Sequence, residues 1–180
     1  QAIEAGVRYV TVDSFDEFDR IDALIASGVG TGLDVVLRIT PGVSAHTHEF
    51  ISTGQNDSKF GFNLANGDAH RAVNRARRSP SVNLVGVHCH IGSNVFEASS
   101  FARAAEVMAD FAVPLDLPAL VLGGGLGVAY VEGEEAPSIT QWGNALLYAC
   151  QALGVKSRVS VEPGRSIVAA PAMTQYTVGT

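Results

Sequence analysis

Glu162, Pro163, Gly164 and Arg165 follow directly on a short stretch, Arg158–Val161, in which Val159 and Val161 alternate with other residues as in a strand. The run offers a carboxylate at the strand's end, a Pro-Gly turn with bare backbone, and then a fixed cation. A cation beside an open glycine backbone suits a phosphate, and the acid suits a basic ring nitrogen. These residues read as one half of a cofactor site.

Two other runs carry groups of the same kind. In Val87-His88-Cys89-His90-Ile91-Gly92-Ser93, side chains at i and i+2 share a strand face, so His88 and His90 project together. A metal would need further histidines from later strands, and no histidine follows His90. A core pair without function is the plain alternative. A flat ring beside backbone N–H groups and the Ser93 hydroxyl suits a planar, phosphorylated ligand. Gly123-Gly124-Gly125-Leu126-Gly127 follows an apolar strand and lets backbone approach an anion without interference from Cβ. The dinucleotide spacing fails there, as Val128 or Tyr130 stands where its last glycine belongs. Ala45-His46-Thr47-His48-Glu49 lacks the spacing of a helical zinc motif, and no serine sits in a Gly-x-Ser-x-Gly elbow. Lys59 and Lys156 are the only lysines; Lys156 reads as solvated, whereas Lys59, between Asp57 and Phe60, reads as a placed ion pair.

The elements that must position these groups alternate between strand and helix. Val7–Val12 predicts a strand, and Asp13-Ser14 a helix start leading to about Ser27. Further strands are expected at Val35–Thr40, Leu84–His90, Leu117–Leu122 and Arg158–Val161, with helices near Asp68–Arg78, Ser99–Phe111 and Ser138–Leu153. Ser44–Phe62 is a long connection without helical period, and its length alone makes it a functional candidate. Val-, Ile- and Leu-rich strands separated by helices mean parallel βαβ units. An open doubly wound sheet and a (β/α)8 barrel both fit that alternation. The polar and glycine residues gather after the last three strands, on the rim where barrel enzymes place their sites. Gln1–Gly6 reads as the last turn of a helix, and Tyr176–Val178 as the start of a strand, so a fragment is expected.

Composition narrows the function classes. With 180 residues, 47% of them apolar, the chain can bury one sizeable core. A net charge of −6 opposes a nucleic-acid surface, and the basic cluster Arg71, Arg75, Arg77 and Arg78 reads as a solvated helix face. No apolar run reaches membrane-spanning length. Cys89 and Cys150 fit neither a metal spacing nor a disulfide framework, which points to a reducing cytoplasm.

VHCHIGS (87–93), GGGLG (123–127) and VEPGRSIV (161–168), in this order and with SKFGF (58–62), resemble the fold-type III pyridoxal-phosphate-dependent decarboxylases. TPGVSAHTHEFISTGQNDSKFGF (40–62) and HCHIGSNVF (88–96) are most similar to the diaminopimelate decarboxylase branch, its actinobacterial forms in particular. The resemblance implies an α/β fold, an alanine-racemase-like, pyridoxal-phosphate-binding (β/α)8 TIM barrel followed by a β domain. Residues 1–180 would hold only about strands four to eight of that barrel. By the same resemblance His90 would stack on the pyridine ring, and Ser93 and the Gly123, Gly124 and Gly125 backbone would bind the phosphate. Glu162 would pair with the ring nitrogen and keep it protonated. Pro163, Gly164 and Arg165 would complete the phosphate side, Arg165 also touching substrate, and Arg38 would lie near the ring.

The implied reaction is loss of the α-carboxylate from an amino acid held on pyridoxal phosphate; for this branch it turns meso-diaminopimelate into L-lysine and CO2. Ornithine, arginine or carboxynorspermidine decarboxylases share the cofactor site and are the rival enzymes. A non-catalytic homologue and a metal-dependent barrel hydrolase are the readings from other classes. The family's Schiff-base lysine and proton-donor cysteine have no match in this chain: Lys59 sits in the Ser-Lys-Phe-Gly motif, and Cys89 and Cys150 do not match the donor. No catalytic residue is therefore assigned, and the chain alone is expected to be inactive. The family further implies a homodimer with shared sites, Lys59 contributing to its interface.

Overall fold

The computed structural model describes residues 1–43 and 59–179. Ser44–Ser58, which includes most of the long connection and of the branch-specific run, lies outside the described residues. Gln1–Gly6 forms a turn closed by Ala5 N–H donating to Gln1 O at 2.8 Å, as the sequence suggests.

Strand β1, Val10–Val12, is shorter than expected, because pairing begins only where Val10 meets Val35 of β2, Leu33–Thr40. Between them α1, Phe15–Ala26, starts at Ser14, whose Oγ accepts from Glu17 N–H at 3.3 Å. A two-residue strand, β3 (Phe62–Asn63), runs parallel to the end of β2. Helix α2 occupies Asp68–Arg78, as read from sequence; Ala69, Ala72, Val73 and Ala76, at i, i+3, i+4 and i+7, form its buried stripe. Its basic face is less solvated than expected, since Arg75 reaches Asp19 at 2.7 Å and Asp22 at 3.1 Å on α1.

Strand β4, Val82–His88, starts two residues earlier than predicted and ends at His88 rather than His90, with a bulge opposite Val35 and Val36 of β2. Helix α3, Ala98–Ala112, runs into a 3-10 turn at Val113–Leu115. Strand β5, Ala119–Gly124, continues through two of the glycines that the sequence places in the following turn. Helix α4, Ile139–Ala152, carries a full capping box between Ser138 and Gln141. Strand β6, Arg158–Glu162, is followed by an unforeseen short helix, α5, Gly164–Val168. Residues 172–179 adopt no strand, so the expectation at Tyr176–Val178 is corrected: no described strand lies alongside to pair with them.

The sheet order β1-β2-β4-β5-β6 follows the chain, every ladder is parallel, and β3 lies off the path beside β2. A doubly wound sheet reverses its order at a switch point. Here the order advances in one direction, and right-handed crossovers then leave the helices on one side, as in a barrel wall. The alternation of side chains agrees. Leu33, Val35, Leu37 and Ile39 of β2, with Leu120 and Leu122 of β5, join the core beneath the helices, while Arg38, His88, Val121 and Ser160 fall on the other face in one register row. Phe101 and Trp142, centroids 5.6 Å apart, lock α3 against α4.

Gly86 marks a close point of the β4–β5 pairing, where a Cβ would stand 2.6 Å from Ala119 O and 2.9 Å from Ala119 Cβ. Gly86→Ala in the full-length protein is expected to lower unfolding stability by about 1–3 kcal/mol, read from the urea midpoint; an unchanged midpoint contradicts the packing described.

Candidate functional site

The C-terminal ends of β4, β5 and β6 meet at a distance that admits no side chain. A Cβ on Gly123 would lie 2.2 Å from Cys89 O, on Gly124 2.0 Å from Glu162 O, and on Gly125 1.9 Å from Gly92 O. Gly123 and Gly125 also take φ of 60° and 99°, which L side chains rarely adopt. The glycine run thus stitches neighbouring strand ends together before it can serve any ligand. The ladder continues past β5 through Val95 N–H donating to Gly125 O and Gly127 N–H donating to Val95 O, both at 2.8 Å. This brings Ser93 and Gly125 side by side.

His88 and His90 both turn to this rim, as their spacing requires. The His88 side chain is 8% exposed and its Nε2 lies 3.3 Å from Glu162 Oε2. His90 Nδ1 accepts from Gly124 N–H at 3.4 Å, so a neutral ring carries its proton on Nε2. Burial, with Arg38 and His88 nearby, pushes His90 below the usual imidazole range, which favours that neutral ring. Glu162 is held below its ordinary value of 4.5, first by the hydrogen bond from His88 and then by the positive field of His88, His90 and Arg38, against a partial burial penalty. A depressed carboxyl adds stability above its unfolded pKa and loses it as pH falls through the folded one. Above that window Glu162 is a carboxylate.

Of the cations, Arg38 is already engaged. Its Nη1 lies 3.1 Å from Asp13 Oδ1 and its guanidinium stacks 4.7 Å from the Phe60 ring centroid. Arg165 donates to the Tyr130 hydroxyl at 2.9 Å and lies over its ring at 5.8 Å. Tyr130 and Asn94 were not read from the sequence as site residues; Asn94, in a left-handed conformation at φ 58°, buries its Oδ1 without a partner among the described residues. An asparagine next to Gly-Ser was the available signal. Pro163 caps α5, with Ser166 Oγ donating to its carbonyl at 2.9 Å, and Gly164 has open space where a Cβ would be. Lys59 stands 5.1 Å from the Phe60 ring; its expected pairing with Asp57 falls outside the described residues. A cavity of 590 Å3 lined by Asp22, Arg75 and Ser79–Ser81 lies at the opposite end of the strands, within the ion-pair network joining α1 and α2.

Residues 1–169 match the pyridoxal-binding domain of the pyridoxal-dependent decarboxylases. The chain belongs to that family. It is 39% identical over 189 residues to a diaminopimelate decarboxylase of Halalkalibacterium halodurans, which covers 99% of this chain and 43% of the relative. To that of Corynebacterium efficiens it is 41% identical, over 96% of this chain and 40% of the relative. Identities of this closeness give the actinobacterial form little separate weight. The solved Helicobacter pylori diaminopimelate decarboxylase complexed with L-lysine superposes with a TM-score of 0.82 at 34% identity, covering 94% of this chain and 43% of that one. A lysine decarboxylase from Selenomonas ruminantium, at 20% identity and a TM-score of 0.69, shares the fold. The chain therefore spans about 43% of the length of the curated relatives it matches. No described helix is long and apolar enough to cross a membrane.

The two cysteines of this chain are both free and buried. Cys89 is buried in the core and its thiol is pushed up to about 12 by burial; burial also raises Cys150. At pH 8 a thiol reagent is expected to leave Cys89 unmodified in the folded full-length protein and to label it fully in denaturant, as mass mapping would show. Rapid labelling of the folded form contradicts this burial.

Proposed function

We propose that the full-length protein carrying this chain is a pyridoxal-phosphate-dependent diaminopimelate decarboxylase, releasing CO2 and L-lysine from meso-2,6-diaminopimelate. The observation that carries the reading is the rim itself: an ionised Glu162, a neutral His90 and the Ser93/Gly125 turn adjoin, in a chain 39% identical to such enzymes. This donor set fits a phosphorylated pyridine. Glu162 would hold a protonated ring nitrogen, and the flat face of His90, fixed by Gly124 N–H, would lie against the ring. Ser93, the Gly123, Gly124 and Gly125 backbone, Gly164 and Arg165 would hold the phosphate, with Gly124 N–H shared with His90 Nδ1, and Pro163 would set the turn into α5. Arg165, supported by Tyr130, is also the candidate for a substrate carboxylate.

When bound, the cofactor supplies an electron-poor ring that takes up the electron pair left as the α-carboxylate departs. This chain's part is to bind and orient that ring and to keep its nitrogen protonated through Glu162. The α-carbon then receives one proton, so the balance is amino acid plus proton giving amine plus CO2. The groups that anchor the cofactor covalently and return the proton lie elsewhere in the full-length protein, and residues 1–180 by themselves are proposed to be inactive. A homodimer with shared sites is the expected assembly, with exposed Ile167, Val168, Met173 and Tyr176 as surface to be covered. Two free, buried cysteines support a reducing, cytoplasmic setting.

The test is product analysis of the full-length protein given meso-diaminopimelate, L-ornithine or L-arginine in turn. One lysine per CO2 from the first substrate is expected, and turnover of only ornithine or arginine would move the assignment to those enzymes. Glu162→Gln, which cannot hold a charge against the ring nitrogen, is expected to lower kcat on the order of a hundredfold or more.

A further inference from the structure

Glu162 is badly placed to be precise on its own. It closes β6, the last strand of the order, and is 54% exposed. Pro163, which has no N–H, follows it, so the ladder cannot continue to steady it. A half-exposed glutamate loses more rotamer freedom on being fixed than most side chains. A carboxylate that must meet one nitrogen of a flat ring nevertheless needs a defined direction.

His88 has the opposite character. It ends β4, between Arg38 of β2 and Val121 of β5 in the register row, and its ring is buried. Its Nε2 faces Glu162 Oε2 at 3.3 Å, while Glu162 Oε1 makes no hydrogen bond among the described residues. His88 Nδ1 is buried with no hydrogen-bond partner among the described residues. An unsatisfied buried ring nitrogen is costly, and an apolar residue filling the same space would avoid that cost. A core-filling role therefore leaves the choice of histidine unexplained, whereas a donor aimed at Glu162 explains it.

Resting on the decarboxylase reading, we infer that His88 is a positioning residue: it holds Oε2 of Glu162 so that Oε1 points to the cofactor's ring nitrogen. The i, i+2 spacing then acquires a division of labour. His90 ties the end of β4 to β5 through Gly124 N–H, and His88 ties it to β6 through the carboxylate. One strand end fixes both walls of the rim. The depressed titration of Glu162, whose largest cause is the hydrogen bond from His88, is consistent with this contact.

The test uses the full-length protein with pyridoxal phosphate and the variants His88→Leu, His88→Asn and His88→Gln. Glutamine keeps an N–H near the reach of Nε2, while asparagine is polar but too short. Loss of one hydrogen bond to a charged group is expected to weaken cofactor affinity about tenfold in the Leu and Asn variants. In both, the ring-nitrogen resonance of 15N-labelled cofactor should move toward the unprotonated position, and kcat should fall with little change in KM. His88→Gln should recover most of each. The inference is overturned if Leu or Asn leaves affinity and nitrogen resonance unchanged, or if Gln falls as far as they do while melting at the wild-type temperature. If His88→Leu does not fold, Asn against Gln makes the same comparison. Should the wild-type protein bind no pyridoxal phosphate, it is the decarboxylase reading that fails. The 13C titration of the Glu162 carboxyl then still judges the contact: it should move up toward 4.5 in His88→Asn, and an unmoved midpoint overturns it.

Discussion

Three strand ends converge at a spacing that excludes even a methyl group, and the rim depends on that exclusion. Cβ atoms at Gly123, Gly124 and Gly125 would each lie within about 2 Å of a carbonyl oxygen on β4's extension or on Glu162. Because no side chain intervenes, the ends of β4 and β6 come close enough for His88 to reach Glu162. For the same reason Gly124 N–H can reach His90. A glycine run that reads as a ligand cradle is first a packing device, and its value to a ligand follows from what the packing brings together.

The rest of the architecture serves that convergence. Unidirectional strand order places every C-terminal end on one rim, and the apolar alternation of β2, β4 and β5 keeps the helices on the far side. The inner face is thereby left to Arg38, His88 and Ser160. Ion pairs divide the cations by task. Arg75 is consumed in joining α1 and α2, Arg38 is held by Asp13 and Phe60, and Arg165 leans on Tyr130 at the surface.

What was legible in the sequence is what local spacing encodes. Helix α2 shows its buried stripe at helical intervals, Ser14 and Ser138 announce their helices, and the strand-helix alternation predicts parallel units. Other features were not local. Glycine is depleted in strands, so β5 reads as ending at Leu122, although Gly123 and Gly124 stay in the ladder because neighbouring backbone presses on them. The Pro-Gly pair at 163–164 reads as a turn and hides α5, and β3 is too short to show a period. The barrel-type strand order, and the contact between His88 and Glu162, depend on which elements become neighbours in space. The family resemblance proposes cofactor roles for these residues where spacing alone left phosphate, metal and plain core open.

The contact between His88 and Glu162 spans 74 positions along the chain. Closing so long a loop costs conformational entropy, and packing of the intervening helices and β5 shortens the loop that the pair must close. The rim needs the ends of β4, β5 and β6 all in place, and a partly assembled arc offers a ligand less to hold. Any molecule that binds there draws the population toward the completed fold by mass action, so the site also acts as the inspector of its own assembly.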